Sequence, residues 1–289
     1  MNDVSSTEPA EVRRHLCRTR FGHMHVRESG SGGVPLVLLH YTPYSSLAFE
    51  PVMERLARSR RTLAVDRIGF GMSDPAPRVL TMAEYARATL DALATLGVEH
   101  FDLAGIHTGA VESLEIATAH EQAVRRLALV AMPVWSDKEA AGLEGFMGSF
   151  LQDPQADGSH LVAMWRSAKA MGEGHYPLGQ PAGVDAERPD GWPLELVNGF
   201  VLHYLLAGPR WYWIYPAIAG FPAAERLPEV RQPLLYVRTL DDIWEQTGRA
   251  VALLPEHARL LTLTHLDMAA FTMAPDEMAG VLDRFLTED

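Results

Sequence analysis

The chain has 289 residues, 47% hydrophobic and 21% charged, a balance that suits a globular protein large enough to bury a sizeable core. Its 25 basic against 37 acidic residues leave a net charge of −12, with Lys138 and Lys169 the only lysines, so neither nucleic acid nor an anionic membrane is an expected partner. No apolar run approaches the ~20 residues that a membrane helix needs. The start "MNDVSSTEPAEVRRHL" has no apolar leader core, and Cys17 stands alone, so a cytoplasmic location without disulfides is expected.

In chain order, "HLCRTRFG" and "HMHVRES" (15–29) read as two strands joined tightly at Gly22. "VPLVLLH" (34–40) is a continuous apolar run, the mark of a strand buried on both faces. A helix is expected over 46–58, then a central strand in "RTLAVDRI" (61–68) and the loop "GFGMSDPAP". Thr81 starts a helix that Gly97 ends, with Tyr85, Ala88, Leu93 and Leu96 on its apolar side. "HFDLAGI" (100–106) is a strand, 109–120 a helix and "RLALVAM" (126–132) a strand. The alternation then breaks: 134–224 offers helical stretches (138–151, 159–171, 194–206), glycine–proline loops and Trp135, Trp165, Trp192, Trp211 and Trp213. It resumes with "PLLYVRTL" (233–240), a helix near 245–254, "ARLLTLTH" (258–265) and a last helix over 276–286. Such alternation predicts an α/β fold with a mostly parallel central sheet flanked by helices.

One stretch carries chemistry. In "DLAGIHTGAVESLEIA" (102–117), Gly105 and Gly109 flank His107 as G-x-H-x-G, between a buried strand and a helix. The string alone is weak evidence, but its placement is stronger. A sharp strand-to-helix turn needs small flanking residues, strains its apex, and aims the N–H of Thr108 above that apex.

With that turn the chain resembles the α/β-hydrolase superfamily over nearly all its length. "VLLHYTP" stands where that family has strand–His-Gly-x-Pro, "VDRIGFGMSD" where it has Asp-x-x-Gly-x-Gly-x-Ser, and "AGIHTGA" at the nucleophile elbow. "VRTLDD" lies where the family places its acid and "LTHLDMAAF" where it places its histidine. The resemblance implies an α/β-hydrolase core in two parts, 1–133 and 225–289, with a helical cap at 134–224. It also implies that His265 is the base, Asp242 its acid with Asp241 the alternative, and the N–H groups of Thr108 and Thr42 (or Tyr41) the oxyanion hole. His40 would support that loop or meet substrate, and Asp66 would fix a turn. The departures are the missing Ser, Cys or Asp nucleophile and Tyr41 in place of the usual glycine.

His107 leaves three readings open. It attacks directly as a neutral imidazole, it forms an acid/base pair with His265, or the site only binds a ligand. A metal held by His107, His265 and a carboxylate is not favoured, because the family acid bonds the far side of its histidine and no H-x-x-x-H or C-x-x-C spacing is present. His23 and His25 alternate on a peripheral strand, while His175 and His203 fall in the cap and read as structural. "GPRWYWIYPAIAGF" (208–221) concentrates Trp211, Trp213 and Tyr215, which with Phe271 and His40 are candidates for the substrate wall. The expectation is a cofactor-independent and metal-independent enzyme, monomer or homodimer, hydrolysing a small apolar or aromatic ester, lactone or thioester. A lyase or isomerase, or a non-catalytic binding protein, is the alternative.

Overall fold

Eight strands form one sheet in the order β1-β2-β4-β3-β5-β6-β7-β8. The strands are β1 Arg13–Thr19, β2 Gly22–Ser29, β3 Leu36–Leu39, β4 Thr62–Val65, β5 Phe101–Ile106, β6 Val124–Val130, β7 Leu234–Thr239 and β8 Arg259–Leu263. This is a computed structural model that describes residues 11–148, 153–184 and 190–288. β1 and β2 pair antiparallel, as does β2 with β4, and every later pairing is parallel.

The central strands are buried on both faces because helices cover both. Val37 and Leu39 of β3 join the core on one side of the sheet, and Leu36 and Leu38 join the core on the other. That is the physical content of the unbroken apolar run at 34–40: a two-sided core removes the reason for alternation. The helices are α1 Glu50–Leu56, α2 Met82–Thr95, α3 Thr108–Ala119, α4 Asp137–Gly148, α5 Ser159–Gly172, α6 Leu194–Ala207, α7 Tyr215–Ala219, α8 Ala223–Arg226, α9 Trp244–Val251, α10 Ala270–Met273 and α11 Pro275–Thr287. Thr81 caps α2 in a reciprocal box: its hydroxyl accepts from the Glu84 N–H, and the Glu84 carboxylate accepts from the Thr81 N–H.

The strand order reverses beside β3, with β4 on one side and β5 on the other. In open α/β sheets the crevice at such a reversal, outside the carboxyl ends of the strands, is where ligands bind. Between β6 and β7 the described residues are helical and carry no strand. The helix expected over 138–151 is α4 as far as Gly148, and its last three positions lie outside the described residues, as do the first ten residues of the chain. No described helix is long and apolar enough to cross a membrane.

Candidate active site

β5 ends at Ile106, α3 begins at Thr108, and His107 between them has φ 50° and ψ −116°. A non-glycine residue in that region costs on the order of 1–3 kcal/mol and persists only where its surroundings impose it. Here the imposition is close packing. A Cβ on Gly105 would strike the Gly109 carbonyl and the Ser113 hydroxyl, and a Cβ on Gly109 would strike the Leu39 carbonyl. The His107 N–H donates to the Val130 carbonyl (3.0 Å), and its own carbonyl accepts from the N–H groups of Ala110 and Val111.

The turn presents the imidazole to a carboxylate from across the sheet. Nε2 of His107 lies 2.9 Å from Oδ2 of Asp241, which is fully buried at the end of β7. Asp241 also accepts from the Thr239 hydroxyl (2.9 Å) and the Ile243 N–H (3.3 Å). Burial pushes the His107 imidazole down, but the charge and hydrogen bond of Asp241, with Asp242 and Asp267 beyond, outweigh it, and its pKa lies above the ordinary histidine value. With Nε2–H given to Asp241, Nδ1 makes no hydrogen bond among the described residues.

The loop after β3 supplies the other wall. Nδ1–H of the buried His40 donates to the Tyr41 carbonyl (2.7 Å), and its Nε2 accepts from the Arg67 N–H (3.1 Å). Burial, with Arg67 nearby, drives its pKa down to about 3, so His40 is neutral. The bond to the Tyr41 carbonyl fixes the plane of the following peptide, because C=O and N–H oppose one another across it; the Thr42 N–H therefore points away from His40. Thr42 and Thr108 line the same cavity, with their hydroxyls 3.1 Å apart. As the first residue of α3, Thr108 offers an N–H that no intrahelical carbonyl can take.

A cavity of about 360 Å³ opens over His107. Four methionines (Met147, Met164, Met171, Met268) and several aromatic side chains line it, and among the described residues no Lys or Arg does. Asp242 stands in that wall beside Ile243. Burial, with the Asp241 charge adjacent, pushes the Asp242 carboxyl up to about 7 against the pull of His107.

Several expectations are corrected. His265 does not meet His107: it is exposed, and its Nε2 lies 3.0 Å from a Glu277 carboxylate oxygen on α11. β8 stops at Leu263, and burial resumes only at Leu266, so the following loop delivers Met268 to the cavity while His265 stays outside. Asp241, the alternative, holds the histidine; Asp242, the first choice, lines the cavity. Of the expected substrate wall only Tyr215 lines the cavity. Trp211 is buried edge-on against Tyr204 and Tyr215, Trp213 lies under the Arg210 guanidinium, and Phe271 packs on Phe49. His40 lies beneath the loop, both ring nitrogens taken by backbone. The Tyr41 ring is buried against Tyr44 and Phe200 and is not in the cavity wall. His175, read from sequence as structural, is in that wall, and nothing in its local sequence marks it. Among the described residues no three His, Cys, Asp or Glu side chains converge as metal ligands.

Residues 34–243 match the family described as the alpha/beta hydrolase fold. The chain belongs to that family. Among its α/β-hydrolase relatives, a 2-(acetamidomethylene)succinate hydrolase from Mesorhizobium japonicum is 31% identical over 156 residues, covering 53% of this chain and 52% of that one. An "uncharacterized carboxylesterase" from Bacillus subtilis is 31% identical over 132 residues, covering 45% of this chain and 44% of its own. The chain thus spans about half the length of the curated relatives it matches. A hydrolase structure from Pseudomonas aeruginosa superposes with a TM-score of 0.73 at 18% identity, covering 98% of this chain and 100% of that one, which is a likeness of fold.

Proposed function

We propose that this α/β-hydrolase is a hydrolase of small, uncharged carbonyl compounds (esters, lactones or thioesters with apolar or aromatic groups) in which His107, oriented by Asp241, is the general base. The observation that carries this reading is the 2.9 Å bond from His107 to Asp241 at the apex of the strained turn, beside Thr42 and Thr108. The relatives named as hydrolase and carboxylesterase support hydrolysis as the reaction type.

The chemistry follows from which nitrogen is held. Asp241 keeps the proton on Nε2, so Nδ1 carries the lone pair and takes a proton from a water in the cavity. The buried carboxylate then stabilises the imidazolium that forms. The water oxygen attacks the substrate carbonyl carbon, and the oxyanion accepts from the N–H groups of Thr108 and Thr42 at the positive end of α3. The wall bears on the substrate: it is largely apolar, and among the described residues no Lys or Arg lines it to pair a substrate carboxylate, whose burial without a partner costs several kcal/mol.

The same base would serve proton abstraction beside a carbonyl. The want of a hydroxyl, thiol or carboxylate at the apex favours a lyase or isomerase as the second reading. Turnover of a panel of small neutral esters and lactones by wild type and by His107→Ala separates the two. Hydrolysis that falls ~10²–10⁴-fold in His107→Ala supports the first reading. Exchange of the hydrogen next to the carbonyl without hydrolysis supports the second. Hydrolysis undiminished in His107→Ala overturns both.

A further inference from the structure

The cavity wall holds an ionisable group with no use in the steps above. Asp241 and Asp242 are consecutive, yet their side chains do opposite things. Asp241 is sealed under His107 by three hydrogen bonds, whereas Asp242 stands in the wall of the cavity and, among the described residues, accepts from no side chain and no backbone N–H but its own. Ile243 and Met268 line the same cavity, and Tyr204 of α6 and Tyr215 of α7 are close enough for its charge to act on them. A carboxyl in such a wall, with no Lys or Arg and no side-chain donor bonded to it among the described residues, has no structural employment.

We infer that Asp242 is a catalytic residue, the general acid that gives its proton to the leaving group. This rests on the hydrolase reading above. In the balanced sequence, Nδ1 of His107 takes a proton from water as the C–O bond to the carbonyl carbon forms. The tetrahedral intermediate collapses by breaking the bond to the leaving oxygen or sulfur, which takes the proton of the Asp242 carboxyl. The imidazolium proton then passes to the Asp242 carboxylate through the cavity, restoring both groups, so one water is consumed and no other reactant is needed. A carboxyl can do this near neutrality because the wall disfavours its charged form. Burial and the charges of Asp241 and Asp267 push it up to about 7, against the pull of His107 and of its own backbone N–H.

The test compares two esters of one acid, an activated aryl ester whose leaving group departs without a proton and an alkyl ester whose leaving group requires one. Asp242→Asn is expected to lose ~10²–10⁴-fold in kcat/KM on the alkyl ester and less than tenfold on the aryl ester, with Asp242→Glu recovering part of the alkyl activity. In wild type, alkyl-ester kcat/KM is expected to fall as pH rises through the Asp242 ionisation, with aryl-ester kcat/KM showing no such limb. Equal losses on both esters, or loss on neither, would overturn Asp242 as the acid while leaving His107 in its role. Hydrolysis of neither ester by wild type would instead overturn the hydrolase reading, and this inference with it.

Discussion

His107 and Asp241 meet across 134 residues of chain, and the bond between them decides which nitrogen works. Asp241→Asn keeps the shape but replaces an acceptor-only carboxylate with an amide that can donate, so the Nε2–H tautomer loses its support. Turnover is expected to fall roughly 10²–10⁴-fold with the fold intact. The pH profile gives the sign. A base must be neutral, so the rate rises with pH through the His107 ionisation, which Asp241 holds above the ordinary histidine value. Without that charge, the rising limb of the residual activity in Asp241→Asn is expected at lower pH than in wild type. His265→Ala is the control: exposed and paired with Glu277, it is expected to leave both rate and profile unchanged. A profile that does not move in Asp241→Asn would remove the dyad.

At the scale of elements, β5, the turn and α3 form one unit whose geometry is bought with small residues. α3 lies so close to the end of β3 that only hydrogen fits at Gly109. In Gly109→Ala the obstacle is the Leu39 carbonyl, which is backbone and cannot rotate aside, so α3 must shift. That overpacking is expected to cost about 1–3 kcal/mol in unfolding free energy, read by urea titration against wild type. The same shift would move His107 off Asp241. Activity is therefore expected to fall further than stability alone explains, since an ångström of misplacement can cost on the order of 10²-fold. A variant of wild-type stability would show that the close approach at Gly109 is not what holds the turn.

Across the whole molecule, buried titratable groups set the pH range of the fold. Burial depresses His40 to about 3 and His203 to about 4, so the unfolded chain binds protons at these sites first as pH falls below about 6.5. Stability contributed by their neutral forms is present above that pH and is lost between about 6.5 and 4, at up to ~1.4 kcal/mol per pH unit for each. Asp242 has the opposite sign: its raised carboxyl binds a proton in the folded state first, and its contribution is lost as pH rises from about 4 to about 7. Two groups oppose one. Unfolding free energy is therefore expected to decline as pH is lowered from 6.5 to 4, and more steeply in Asp242→Asn. A flat profile over that window in both proteins would contradict the buried, neutral histidines.

The sequence by itself determined what local chemistry controls. Each strand from β3 to β8 was legible as an apolar or β-branched run, α2 from its Thr81 cap and Gly97 stop, and the strained turn from two glycines around His107, because these depend on neighbours within a few residues. The motifs in order sufficed for the α/β-hydrolase resemblance. Only the tertiary structure decided which charged groups meet. "LDD" offers two carboxylates one residue apart, and the side-chain directions at the end of β7, unknowable from composition, send Asp241 to His107 and Asp242 to the cavity. "LTHLDM" offers a histidine in the expected place, yet β8 ends two residues before it and burial resumes one residue after it, so Met268 enters the cavity and His265 faces solvent. The aromatic density at 208–221 marks packing between helices; of its candidates only Tyr215 reaches the cavity wall. A side chain's partner is set by where a strand stops and which way the next residue turns, and those are settled by the packing of the whole chain.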